Sequence, residues 1–323
     1  PEDHDSDLYA DGALTYLGTA QQIVSSLDAV TQYFSRWSLG RYRIVFEAAE
    51  RDVKPEYGDP RTCLDGALAQ SRSKSDGVLV VADRQHREGR NGGSGTWGAE
   101  CTGNCPARRT RRSVYLGASD FVGLDGARVR VDLVEHEIGH ALGWPHSTRR
   151  SEYDNVVDVM SDSGAPYRSD AAKIDGPGVL AFNRYVSGWL IREPLIVDPQ
   201  RGEPIDIDVN DLALVAVSDT TMLSIEVIAA LGDDSFLDSA GVAVHLIEWD
   251  ELGCVPPFRI LPLCARLPRR QSIESPLGST DGLVRAFQSV TVQGMKVAVN
   301  EIGFESARVT VTSNPVLQGE GSQ

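Results

Sequence analysis

The stretch VEHEIGHALGWPHS, residues 134 to 147, constrains this chain more tightly than any other part of it. His136 and His140 stand four residues apart, so on a helix they leave from one face with Cβ atoms about 5–6 Å apart. Two imidazoles at that separation suit one metal ion. Glu137, turned about 100° from His136 round the helix, can approach a water at that metal without ligating the ion itself. Gly143 tolerates the positive φ that ends a helix. Pro145 prevents the helix from resuming, and His146 comes back on the returning chain as a third ligand. Three protein ligands leave one position open, the pattern of a catalytic zinc rather than a structural one. His-Glu-x-x-His alone occurs by chance in proteins that bind nothing; the glycine, the proline and His146 lift this stretch above that background. His4, His86 and His245 have no such company and read as ordinary surface or strand residues.

The residues around the stretch suggest mixed helices and strands. Ser26 to Trp37 places Leu27, Val30, Tyr33 and Phe34 on one helical stripe. YRIVFEA, residues 42 to 48, alternates like a strand, and Cys63 to Ser71 looks helical. GVLVVAD (77 to 83) suits a strand covered on both faces, and SVYLGAS (113 to 119) is another candidate. The Gly-rich stretch from Arg84 to Arg112 reads as loop with an edge strand inside it. Asp125 offers an N-cap for the helix that ends at Leu142, and a further helix is expected over Pro177 to Ser187, capped by Asp175 and stopped by Gly188. The Pro-rich run REPLIVDPQRGEP places a boundary near residue 200. Beyond it IDIDV, ALVAV, LSIEVIAAL, GVAVHLIEW, VTVQGMKVAV and ARVTVTS are short strands between turn residues, the texture of a sandwich. The expected architecture is an α+β, α/β-layered domain over 1–199 followed by an all-β sandwich-like domain over 200–323.

A length of 323 residues is enough for two cores. The net charge of −15 argues against nucleic acid or anionic membranes as partners, and no apolar run reaches the roughly 18 residues of a membrane span. The clusters Arg108, Arg109, Arg111 and Arg112, and Arg269 with Arg270, read as solvated loop charge, the alternative being an acidic-substrate contact or an exposed processing site. Cys101 with Cys105 and Cys254 with Cys264 are close pairs within loops and suit disulfides, hence an oxidising, extracellular setting. Cys63 is either a buried thiol or a partner for Cys101 or Cys105, freeing the other.

HEIGHALGWPH resembles the long zinc signature of the metzincin peptidases. Metzincins carry a methionine turn below the metal, and YDNVVDVMSDSG supplies Met160 in that place. EYDNVVDVMS followed by GVLAFNRYVSGWL, with Trp189, is similar to the gametolysin-like secreted peptidases, and the strand-rich tail is similar to the β-domain of gametolysin-like and immune-inhibitor-A-like enzymes. The latter branch usually has an acid where this chain has His146, so the gametolysin-like side fits better. Some metzincins add a tyrosine ligand two residues after the methionine; Asp162 stands there in this chain, and Tyr153 and Tyr167 nearby receive no role. The resemblance implies a secreted zinc endopeptidase with His136, His140 and His146 as ligands, Glu137 as general base and then acid, and a protein or peptide substrate lying along an edge strand. RNGGSGTWGAE (90 to 100) is the candidate edge. Calcium is a second candidate ion, at Asp206, Asp208 and Asp211 or at Asp233, Asp234 and Asp238, although neither group has EF-hand spacing. A monomer is favoured, with no residue that decides it. The rival reading is an adhesion or binding protein with a vestigial peptidase fold.

Overall fold

Gly77 opens the first strand because nothing larger fits there: a Cβ on it would lie 2.7 Å from the carbonyl oxygen of Arg112. The computed structural model describes residues 18–50, 60–71, 75–83, 94–95, 112–122, 129–150, 154–161, 176–249 and 270–313. They fall into two units, Pro1–Trp144 with Ser163–Gly176, and Pro145–Asp162 with Pro177–Gln323. In the first, β1 (Gly77–Val81) runs parallel to β3 (Arg112–Leu116), and β2 (Ser94–Gly95) lies antiparallel on the other side of β3. Among the described residues β2 is therefore an edge of this three-stranded sheet, and it falls inside the 90–100 segment.

The helices of this unit differ from expectation in instructive ways. The stripe read from Ser26 is two helices, α1 (Ala20–Ser26) and α2 (Asp28–Trp37), jointed at the buried Leu27. The start signal is Thr19, whose hydroxyl accepts the Gln22 N–H while Gln22 Oε1 accepts the Thr19 N–H at 2.8 Å. Val30, Tyr33 and Phe34 are buried as their spacing requires. The expected strand at 42–48 is not formed. Its positions do alternate between half-buried and exposed, but the Tyr42 N–H goes to Ser38 Oγ at 3.0 Å and the Ile44 carbonyl accepts from Thr31 Oγ1 at 3.4 Å. Backbone groups tied to α2 and to its cap at Ser38 are lost to a ladder. α3 (Pro60–Gln70) matches its expectation. The helix carrying the histidines, α5 (Val131–Leu142), starts later than expected, after Arg130. The Arg130 N–H bonds Phe121 O at 2.7 Å, tying the chain back to α4 (Ala118–Val122) before the helix begins. Asp125 lies outside the described residues.

The second unit is built on two sheets. A six-stranded sheet has the order β4 (Ser147–Thr148), β10 (Arg270–Ile273), β9 (Gly241–Glu248), β8 (Thr221–Ile228), β7 (Ala213–Ala216), β5 (Leu195–Ile196). A four-stranded sheet has the order β11 (Ser289–Val292), β12 (Met295–Ile302), β13 (Ser306–Ser313), β6 (Pro204–Asp208). Leu223, Ile225 and Val227 from β8 and Val242, Val244 and Leu246 from β9 join Val297, Val299, Val309 and Val311 in one core cluster. The two sheets thus pack as a sandwich. The opposite face of the large sheet is covered as well, by Ala181 and Phe182 of α6 (Ala181–Val186) and by Val157. Double coverage explains why every residue of β8 is buried while β13 alternates.

α6 is shorter than the expected 177–187, although Gly188 (φ +71°) does end it. Residues 176–180 are not helical, and the Gly178 N–H bonds Asp234 Oδ1 at 2.9 Å. Asp175 lies outside the described residues. The β-rich unit takes in residues 145–162 and resumes at Pro177, upstream of the residue 200 boundary. The short strand at 147–148 is what recruits this early segment, since it pairs with β10.

Candidate metal centre

α5 is buried along nearly its whole length, from Val131 to Ala141. A helix with five ionisable side chains buried in it needs partners for each. Asp132 pairs with Arg130 at 3.3 Å, and Glu135 Oε2 accepts the Gly176 N–H at 3.1 Å. The two histidines sit edge to face, ring centroids 4.7 Å apart. His140 Nδ1 lies 2.9 Å from the carbonyl oxygen of Trp144. A carbonyl only accepts, so Nδ1 carries the proton and Nε2 keeps its lone pair for a ligand.

Gly143 ends α5 in the left-handed conformation, φ +100° and ψ 20°. Its N–H and that of Trp144 both bond back to Gly139 O at 2.9 Å, closing the last turn. Trp144 is wholly buried beside Phe34, centroids 6.0 Å apart. Alanine at 143 meets the left-handed penalty of about 1–2 kcal/mol. Gly143→Ala is therefore expected to lower the thermal midpoint of unfolding, and an unchanged midpoint would show that the cap can relax.

His146 follows on the returning chain. Ligand atoms of His136, His140 and His146 all lie within 4.8 Å of one another, with the first two buried and the third half-buried. Among the described residues this is the one group of three or more His, Cys, Asp or Glu side chains whose ligand atoms converge so closely. The next residue, Ser147, donates its N–H to Met160 O at 3.1 Å. Met160 is fully buried, and its turn is tied by the Asn155 N–H to Ser161 Oγ at 2.9 Å and the Met160 N–H to Asp158 Oδ1 at 3.3 Å. Glu137, also buried, stands next to His136 on α5. Three convergent imidazoles, one with its tautomer set by a carbonyl, fit a borderline-soft divalent ion such as zinc.

Of the acidic residues in the tail clusters, Asp206, Asp208, Asp211 and Asp234 have protein partners. Asp206 pairs with Arg308 at 2.8 Å, and Asp208 and Asp211 face Arg192 at 3.6 and 3.1 Å. Asp234 is buried on the Gly178 N–H. Asp162, Tyr153, Tyr167, His4, His86 and the four loop cysteines, Cys101, Cys105, Cys254 and Cys264, lie outside the described residues, while Cys63 is buried on α3. Reading residue by residue misses a buried polar layer on the α6 side of the large sheet. Glu226 accepts the Ala181 N–H at 2.7 Å, Gln271 donates to Asn183 at 2.6 Å, and Asn155 bridges Ser147 and His245 at 2.8 and 3.2 Å. No family model matches the chain, and neither a curated protein nor a solved structure does.

Proposed function

We propose that this chain is a secreted zinc-dependent endopeptidase of the metzincin type, cutting extracellular proteins or peptides. The observation that carries the reading is the convergence of His136, His140 and His146, with a buried carboxylate, Glu137, on the same helix. Zinc held by three imidazoles supplies a Lewis acid and brings the pKa of water down to about 7. Glu137 then has a base's role: its carboxylate takes the proton of the attacking water and later delivers it to the departing amine. A protein with a purely adhesive role has no use for that carboxylate, which favours the enzyme over the binding protein. β2, an unpaired edge of the first sheet among the described residues, offers backbone groups to which an extended peptide can add as a strand.

The test is metal analysis joined to proteolysis. The purified protein is expected to hold one zinc per chain, to cleave casein, to lose cleavage on chelation and to regain it with one equivalent of zinc. Protein that holds zinc stoichiometrically yet cleaves nothing in a proteome-derived peptide library would instead establish the binding-protein reading.

A further inference from the structure

The helix fixes His136 and His140 by its own geometry, whereas His146 lies past Pro145, outside the helix and one residue before β4. A metal centre needs its ligands held to about 0.5 Å. The residues that follow His146 are tied to the large sheet. Ser147 and Thr148 form β4, in parallel register with Gln271 and Ser272 of β10, and Thr148 Oγ1 donates to Gln271 O at 3.3 Å. The Ser147 side chain, wholly buried, accepts from Asn155 Nδ2 at 2.8 Å. The same amide nitrogen faces His245 Nε2 of β9 at 3.2 Å. An amide nitrogen only donates, so His245 Nε2 is the acceptor and His245 is neutral. Both Asn155 and His245 are wholly buried. One residue further on, the Arg149 guanidinium donates to Ser275 Oγ at 3.1 Å, to Thr280 O at 2.8 Å and to Ser279 O.

We propose that the large sheet of the β-rich unit positions the third metal ligand, through the buried chain His245–Asn155–Ser147 and with Arg149 as outer anchor. Asn155 and His245 are then positioning residues for His146. Residues one step removed from ligands set affinity by orienting them; their loss weakens metal binding by on the order of 10- to 100-fold. The proposal rests on the three-histidine site proposed above.

The experiment measures cobalt and zinc affinity of the full chain by chelator competition, with the visible spectrum of bound cobalt, in four variants. His245→Leu fills the space without an acceptor and is expected to weaken zinc at least tenfold and to alter the cobalt spectrum. His245→Gln restores an acceptor and is expected to return affinity to within about threefold of wild type. Arg149→Gln, away from the buried core, is expected to weaken binding in the same direction; it decides the matter if His245→Leu does not fold. Val309→Ala in the four-stranded sheet lowers stability without touching the chain of contacts and is expected to leave affinity unchanged. The proposal is overturned by wild-type affinity in a folded His245→Leu, by wild-type affinity in Arg149→Gln, or by a loss in Val309→Ala equal to that in His245→Leu. A wild-type chain that binds no cobalt or zinc sinks the three-histidine site itself. One that binds metal and is inactive leaves the positioning result intact.

Discussion

Glu137→Gln is expected to reduce peptide-bond cleavage by about 10²–10⁴-fold, the range over which a positioned acid–base group contributes to a rate, while one zinc per chain stays bound. Glutamine keeps the size of the side chain and one oxygen but cannot take a proton from water. Glu137 is only 4% exposed, and the near-isosteric swap avoids leaving a cavity in α5. The proposed ligands are His136, His140 and His146, whose ligand atoms converge; none of them is altered, so stoichiometric zinc with a native unfolding transition is the accompanying result. Kinetics on a casein-derived peptide, with zinc measured on the same sample, decides it. Undiminished kcat/KM in the variant would remove Glu137 from the chemistry. Loss of both metal and activity would reassign it to holding the site together.

The convergence of the three histidines was legible because it is written in spacing. A step of four residues from His136 to His140, a glycine that turns out at φ +100° and a proline after it leave the chain few alternatives. The same physics ended α6 at Gly188. Where the reading failed, the deciding partner was remote. Tyr42 to Phe46 alternates as a strand does, yet its backbone is taken by Ser38 and Thr31. β4 and β5 are two residues each, too short for any period to show. The run VTVQGMKVAV is a hairpin, its turn made by Gln293 and Gly294 at φ +46° and +81°, a position where Gly is the ordinary signal. The buried polar layer left a trace that could have been read. LSIEVIAAL and GVAVHLIEW are apolar on both faces, which marks a doubly covered strand. Glu226 and His245 embedded in such runs had to be buried and partnered.

That layer gives the second large effect, at Arg184. Its guanidinium is buried, 3.8 Å from Glu226 and donating to Asn210 Oδ1 at 2.6 Å. Burial, ahead of their other neighbours, pushes Asp158, Glu226 and Asp234 up to about 7, and the Arg184 charge opposes that rise in Glu226 and Asp234. These carboxyls hold protons in the folded chain that the unfolded chain releases above about pH 4. Their contribution to stability is therefore full at low pH and is lost as pH climbs toward 7. His245 acts oppositely: burial lowers it to about 3, so its contribution is present above about 6.5 and is lost as pH falls toward 3. Arg184→Met keeps the apolar stem and removes the charge. At pH 8 it strands ionised carboxylates in the core, and the expected loss is about 3–5 kcal/mol, typical of a buried pair deprived of one partner. At pH 5 the carboxyls are protonated, the arginine has little to neutralise, and the loss is expected to shrink. Because His245 titrates alike in both proteins, it cancels from the difference. Denaturant unfolding of the two proteins at pH 5 and pH 8 measures the effect directly. Equal losses at the two pH values would assign Arg184 a packing role only, and would mean that the carboxyls of this layer do not depend on its charge.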